Sequence, residues 1–203
     1  MPIPPLPEGL SYDPGGNCAV FLATVINPTF GRWITVDEYT DVDELHAYGV
    51  ELCRANPESG GEYHIADSEG YDGLIGEGPL ELAVNVAAVL DKLDDKERDA
   101  FPVWVGHLGA HWTLWTTRED TRAPTDPEAL EDAFRQDYVG TYDTVKDFGK
   151  EKLEEILDAE NVSDTLRAII GNFLSGESYA NGDLIGDYHW SRTPHGIAVF
   201  WRK

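Results

Sequence analysis

The feature that most constrains this chain is where its acids sit. The 203 residues carry 38 Asp and Glu against 15 Lys and Arg, a formal net charge of −23. Between Asp37 and Glu81 there are 13 acids and one base, Arg54. Between Glu119 and Glu160 there are 14 acids and five bases, whereas the last 43 residues hold four of each. Self-repulsion on this scale opposes a compact state. The acids must therefore lie on faces open to water, with cores built from the rest. Hydrophobic residues are 41 % of the chain and aromatics 11 %, with six Trp, nine Tyr and seven Phe, enough for such cores and unlike a disordered acidic tail.

The balance also bears on partners. A nucleic-acid binder needs a basic face against phosphates, so no nucleic acid is expected as a ligand. Anionic membrane surfaces are disfavoured for the same reason. No run of 18 apolar residues exists, and MPIPPLPEGL has neither the basic nor the apolar region of a signal peptide. With two cysteines, Cys18 and Cys53, and no CxxC pair, a cytoplasmic protein with free thiols is expected.

The pattern along the chain reads as α+β. Ala19 to Ile26 is a continuous apolar run fit for a buried strand, and Arg32 to Val36 pairs back across the turn Asn27-Pro28-Thr29-Phe30-Gly31. Asp41, with Glu44 at capping-box spacing, opens a helix with Val42, Leu45, Gly49 and Leu52 on its apolar face. Glu62 to Asp67 is a third short strand. The glycines from Gly73 to Gly78 suggest a boundary, after which Leu80, Ala83, Ala87 and Leu90 repeat at helical spacing. Further helices are expected over about 95–108 and from Asp126-Pro127, with Leu130, Ala133, Phe134 and Tyr138 on one face. Thr144 and Ser163 cap two more, the second with Leu166, Ile169, Ile170 and Phe173 turned inward. Tyr188 to Arg192 and Gly196 to Arg202 form a hairpin around Thr193-Pro194-His195. This segmentation divides into an N-terminal α/β domain over 17–75, a mostly helical middle domain over 76–138 and a C-terminal α+β domain over 139–203.

Asp147, Glu151, Glu154, Glu155 and Asp158 recur at helical spacing and make one acidic stripe, and Glu128, Glu131 and Asp132 repeat the pattern one helix earlier. Like charges three or four positions apart each cost a helix about 0.2–0.5 kcal/mol. Folding alone does not ask for that. A solvated, solubilising face is the plain account. The functional account is a surface that copies the phosphate field of DNA. At about one charge per 1.7 Å of duplex, 23 charges correspond to about 39 Å.

Signatures of catalysis are weak. His107 and His111 are four apart, but Leu108-Gly109-Ala110 between them supply no base and no third metal ligand. No phosphate-binding or nucleophile-elbow motif occurs, and Gly73 to Gly78 lies among Glu69, Asp72 and Glu77, which repel phosphate. No cofactor and no metal are expected. An acidic hydrolase with an unrecognised carboxylate pair remains the alternative, because many carboxylates are present and none is singled out.

Several segments match a known pattern in order. They are Phe30-Gly31-Arg32-Trp33-Ile34 with Asp43-Glu44-Leu45, the strand from Glu62 to Gly70, Asp132-Ala133-Phe134 with the run Tyr138 to Thr144, and Gly182-Asp183-Leu184 with His195 to Phe200. In these the chain resembles the ArdA antirestriction proteins. The resemblance implies an elongated, curved chain of three small domains that forms a homodimer. It also implies a non-catalytic DNA mimic that occupies the DNA groove of type I restriction–modification enzymes. The proline-rich lead-in, and a longer stretch from Gly109 to Thr125 containing Trp112 and Trp115, depart from the pattern. Surrogate phosphates are expected at Glu44, Glu51, Glu69, Asp72, Glu77, Glu81, Glu128, Glu131, Asp132, Asp147, Glu151, Glu154, Glu155 and Asp158. A dimer joint is expected where charge is lowest, with Tyr138, Tyr142, Trp190, Phe200 and Trp201 as candidates.

Overall fold

A computed structural model describes residues 2–13, 15, 18–76, 78–108 and 126–202. Glu77, His111, Trp112, Trp115 and the stretch 109–125 lie outside the described residues. The described residues form two small antiparallel sheets and seven α-helices, an α+β protein as expected. Contacts gather them into two units, Met1–Leu93 with Leu108–Asp132, and Asp94–His107 with Ala133–Lys203.

In the first unit, β1 (Cys18–Thr24) is the middle strand between β2 (Gly31–Val36) and β3 (Tyr63–Glu69). A central strand has both faces covered, which is why its sequence is apolar without alternation. Helix α1 (Val42–Ala55) lies on this sheet through Leu45, Tyr48, Gly49 and Leu52. Its N-cap is Asp41, whose carboxylate accepts from the Asp43 amide at 2.8 Å. After β3, Leu74 and Ile75 are buried, and Ser68 Oγ donates to the Ile75 carbonyl. Tyr71 is buried and donates its hydroxyl to the Ala83 carbonyl of α2 (Leu80–Leu90). The glycine-rich segment is thus tied down by apolar burial at its centre. Position 76 accordingly falls inside the first unit. Helix α2 buries eight of its eleven residues.

The proline-rich lead-in also has fixed contacts. The Pro4 carbonyl accepts from Arg32 Nε at 2.7 Å and from the Tyr48 hydroxyl at 3.0 Å. The Thr35 amide donates to the Ser11 carbonyl, so the lead-in partly covers the free edge of β2.

In the second unit, β6 (Gly196–Trp201) is the middle strand between β4 (Tyr138–Tyr142) and β5 (Tyr188–Thr193). Strand β4 was not expected from sequence. Tyr138, placed on the preceding helix, instead ends α4 (Pro127–Asp137) and pairs with Phe200. At five residues with a bulge between Tyr138 and Gly140, it is too short and irregular to show a period. Gly196 closes the β5–β6 turn at φ +130°, and a Cβ there would sit 2.2 Å from the Tyr142 carbonyl oxygen of β4. Helix α3 (Asp95–Leu108) buries Phe101 and Trp104, and Trp104 donates to Asp137 Oδ2 at 3.1 Å. With Phe134, Tyr138 and Phe200 they make one aromatic cluster.

Helix α5 (Val145–Ala159) starts at Thr144, whose hydroxyl caps the Asp147 amide. Its Phe148 packs with Ala180, Leu184, Tyr188, Ile197 and Val199. Helix α6 (Asp164–Phe173) corrects the expectation of an inward face. It has no buried residue, and Leu166, Ile169 and Phe173 are 47 %, 48 % and 87 % exposed. Nothing in its own unit covers that stripe. Helix α7 (Gly176–Tyr179) then crosses α5 closely and runs into a π turn over Ala180–Leu184.

Candidate functional site

The candidate residues are carboxylates, so their exposure and neutralisation decide what they offer a partner. On α1, Glu44 and Glu51 are exposed. Glu69 ends β3, and Asp72 sits in the following turn at φ +49°, both exposed. Glu81, in the first turn of α2, is exposed and accepts from its own backbone amide and from His46 Nε2. These two contacts hold its carboxyl below the usual range. His46 Nδ1 lies 2.7 Å from the Tyr63 hydroxyl, so α1, β3 and α2 meet at this imidazole.

On α4, Glu128 and Asp132 are exposed, whereas Glu131 is half-buried and 3.4 Å from Lys92. Along α5, Asp147, Glu151, Glu154, Glu155 and Asp158 are all exposed, opposite the buried Phe148, Gly149 and Leu157. The stripe is less bare than its sequence implies. Arg167 of α6 places Nη1 3.1 Å from Glu154 and Nη2 2.6 Å from Asp158, while its Nε donates to the Val162 carbonyl. Lys152 pairs with Glu155 at 2.9 Å. Glu151 accepts the Tyr142 hydroxyl at 2.8 Å. Burial, together with that bond, pushes the Tyr142 phenol up. Among the described residues Asp147 and Glu151 carry no ion pair, so they are the stripe's most available negative charges.

Sequence reasoning finds Lys152 beside the stripe but misses Arg167, which stands nine residues beyond Asp158. One signal was present: Arg167 is the one base between Lys152 and Arg192.

The expected joint residues differ in exposure. Phe200 is fully buried, and Tyr138, Tyr142 and Trp190 are half-buried. Trp201 is 46 % exposed, with its ring 4.3 Å from that of Tyr188.

His46, His107, His189 and His195 have structural partners. His107 stacks on His189 with centroids 3.6 Å apart, and burial holds the His189 imidazole below its usual range, aided by His107 and Arg202. His195 Nδ1 lies 2.6 Å from Asp99. Among the described residues no three His, Cys, Asp or Glu gather as a metal would require. An open hollow of about 350 Å³ is lined by Asp13, Asp37, Glu38, Tyr39 and Asp91, among others. Asp37 accepts there from the Tyr39 amide and the Thr40 hydroxyl, and Asp91 from the Glu38 amide. Those carboxylates lock turns.

Carboxylates line the exposed faces of units whose cores are apolar and aromatic. The model of the antirestriction protein (ArdA) family matches residues 28–197. The chain belongs to the ArdA antirestriction family. No curated protein and no solved structure matches it. Among the described residues, no helix is long and apolar enough to cross a membrane.

Proposed function

We propose that this antirestriction protein acts as a DNA mimic on type I restriction–modification enzymes. Its carboxylates enter the enzyme's DNA groove and pair with the Lys and Arg that otherwise hold phosphates. The observation that carries this reading is exposure. Of the thirteen of these acids among the described residues, twelve are exposed, all but half-buried Glu131. Each stands in for a phosphate and none is individually essential. The protein works as a homodimer, which doubles the length of duplex its charge matches, and it needs neither nucleic acid nor a cofactor.

Exposed opposite charges attract across solvent, so the association weakens as salt rises. The test is titration of the purified protein into a type I enzyme bound to labelled target DNA. Competitive release of DNA, with an inhibition constant that rises steeply with salt, is expected. Retention of DNA at saturating protein, or tight binding of this chain to DNA itself, overturns the reading.

A further inference from the structure

We infer that the hollow between the π turn at Ala180–Leu184 and strand β5 binds a small oxyanion, a phosphate or a carboxylate, with Arg202 as its charged anchor. The site lies within the second unit and is independent of the mimicry proposed above.

Two observations carry it. The hollow has a volume of about 210 Å³ and is lined by Asn181, Ile185, Tyr188, His189, Trp190 and Arg202. No carboxylate among the described residues lines it, in a chain where 38 of 203 residues are acids. The hollow beside Asp13 is the reverse, with Asp13, Asp37, Glu38 and Asp91 in its wall. A cation without a carboxylate beside it is therefore a local choice against the composition of the chain.

The second observation is what the lining side chains offer. Arg202, Trp190, His189 and Asn181 all carry N–H donors. Among the described residues, no acceptor meets the guanidinium of Arg202, the indole of Trp190 or the imidazole of His189. Asn181 gives one N–H to the Glu177 carbonyl at 3.0 Å and keeps the other. Such a set is matched by a ligand rich in acceptors, and the guanidinium fork fits a phosphate or carboxylate. The set is also held in place. The Arg202 amide donates to the Asp187 carbonyl at 2.8 Å, and its charge acts on the His189 imidazole, which is stacked on His107. Exposed Ile185 and half-buried Trp190 leave an apolar margin beside the charge. The volume is below the about 300–1,000 Å³ of sites for drug-sized ligands, so the ligand is small. A net charge of −23 repels anions at long range, so contact within the hollow must supply the affinity, and a millimolar Kd is expected.

Proton–nitrogen correlation NMR of the full chain tests the site, at about 150 mM salt so that long-range repulsion is screened. Inorganic phosphate, sodium benzoate and neutral benzamide are titrated separately at constant ionic strength, and Trp190→Phe assigns the Trp190 indole line. Saturable shifts of that line with phosphate or benzoate, and none with benzamide, are expected. Arg202→Gln should weaken binding tenfold or more. Arg202→Lys, which keeps the charge and loses the fork, should fall between. Arg202 is exposed, so both variants keep the fold. Saturation by phosphate alone assigns free phosphate as the source, and saturation by benzoate assigns a carboxylate on an apolar group. Shifts that stay linear throughout with both anions, an equal response to benzamide, or binding unchanged in Arg202→Gln overturns the site.

Discussion

Arg167 Nη2 lies 2.6 Å from Asp158 Oδ1, and through this contact α6 is fastened to α5, which carries five acids. The same guanidinium reaches Glu154 and the Val162 carbonyl, so one cation serves three acceptors. Arg167 is half-buried while Glu154 and Asp158 are 52 % and 74 % exposed. The ion pairs are therefore screened, and each is worth well under 1 kcal/mol. Arg167→Gln should cost about 1 kcal/mol in all, most of it from the bond to Val162. Chemical denaturation checks this, and an unchanged midpoint refutes it.

The clamp changes what neutralising the stripe should do to stability. From like-charge repulsion alone, amides at Glu151, Glu154, Glu155 and Asp158 should raise stability. Glu154→Gln and Asp158→Asn instead remove partners of Arg167, so these two are expected to leave stability level or lower it slightly. Thermal melts of the four single variants separate the cases, and a clear rise for Asp158→Asn would show that repulsion outweighs the clamp.

Inhibition should respond differently from stability. Under the mimicry proposed here the four replacements weaken inhibition step by step, since the partner reads summed charge. Loss of all inhibition from one of them, with the fold intact, points instead to a specific contact.

Close approach of α5 and α7 gives a steric prediction. A Cβ on Gly149 would sit 1.9 Å from the Gly176 carbonyl oxygen. Gly149→Ala must part the two helices that hold Phe148 against Ala180, so a loss of about 2–3 kcal/mol is expected. Denaturation of this variant beside Gly171→Ala, where an added Cβ meets nothing within 4 Å, isolates the clash.

Alkaline pH should reveal Tyr142. Its phenol is raised in the folded state by burial and by the carboxylate of Glu151, from an ordinary value of about 10. Folded protein therefore keeps a proton that the unfolded chain releases. Stability from this group is whole below about pH 10 and is lost as pH climbs above it. Tyr142→Phe should flatten the fall in stability above that pH, and an identical slope in the two proteins contradicts the assignment.

The sequence by itself determined the α+β class, the strands of the first sheet, the β5–β6 hairpin, the positions of α1 to α6 and the carriage of the acids on helices. These follow from local period, turn chemistry and caps, each contained within a few residues: Thr144 caps α5 as its spacing predicts. Only the tertiary structure decided what those elements face. Strand β4 exists because β6 offers an edge to Tyr138–Tyr142, a pairing across more than fifty residues that no local pattern encodes. Amphipathic period in α6 says that one face is apolar, and says nothing of whether the fold supplies a cover. Phe200 and Trp201 are neighbours in sequence, yet Phe200 closes the buried run of the central strand β6 while Trp201, at the strand's end, is 46 % exposed. The partners of Glu154, Glu131 and Glu81 are set by which donor the packing brings near, Arg167, Lys92 and His46. Sequence separation hides such pairs, because charge acts through space and not along the chain.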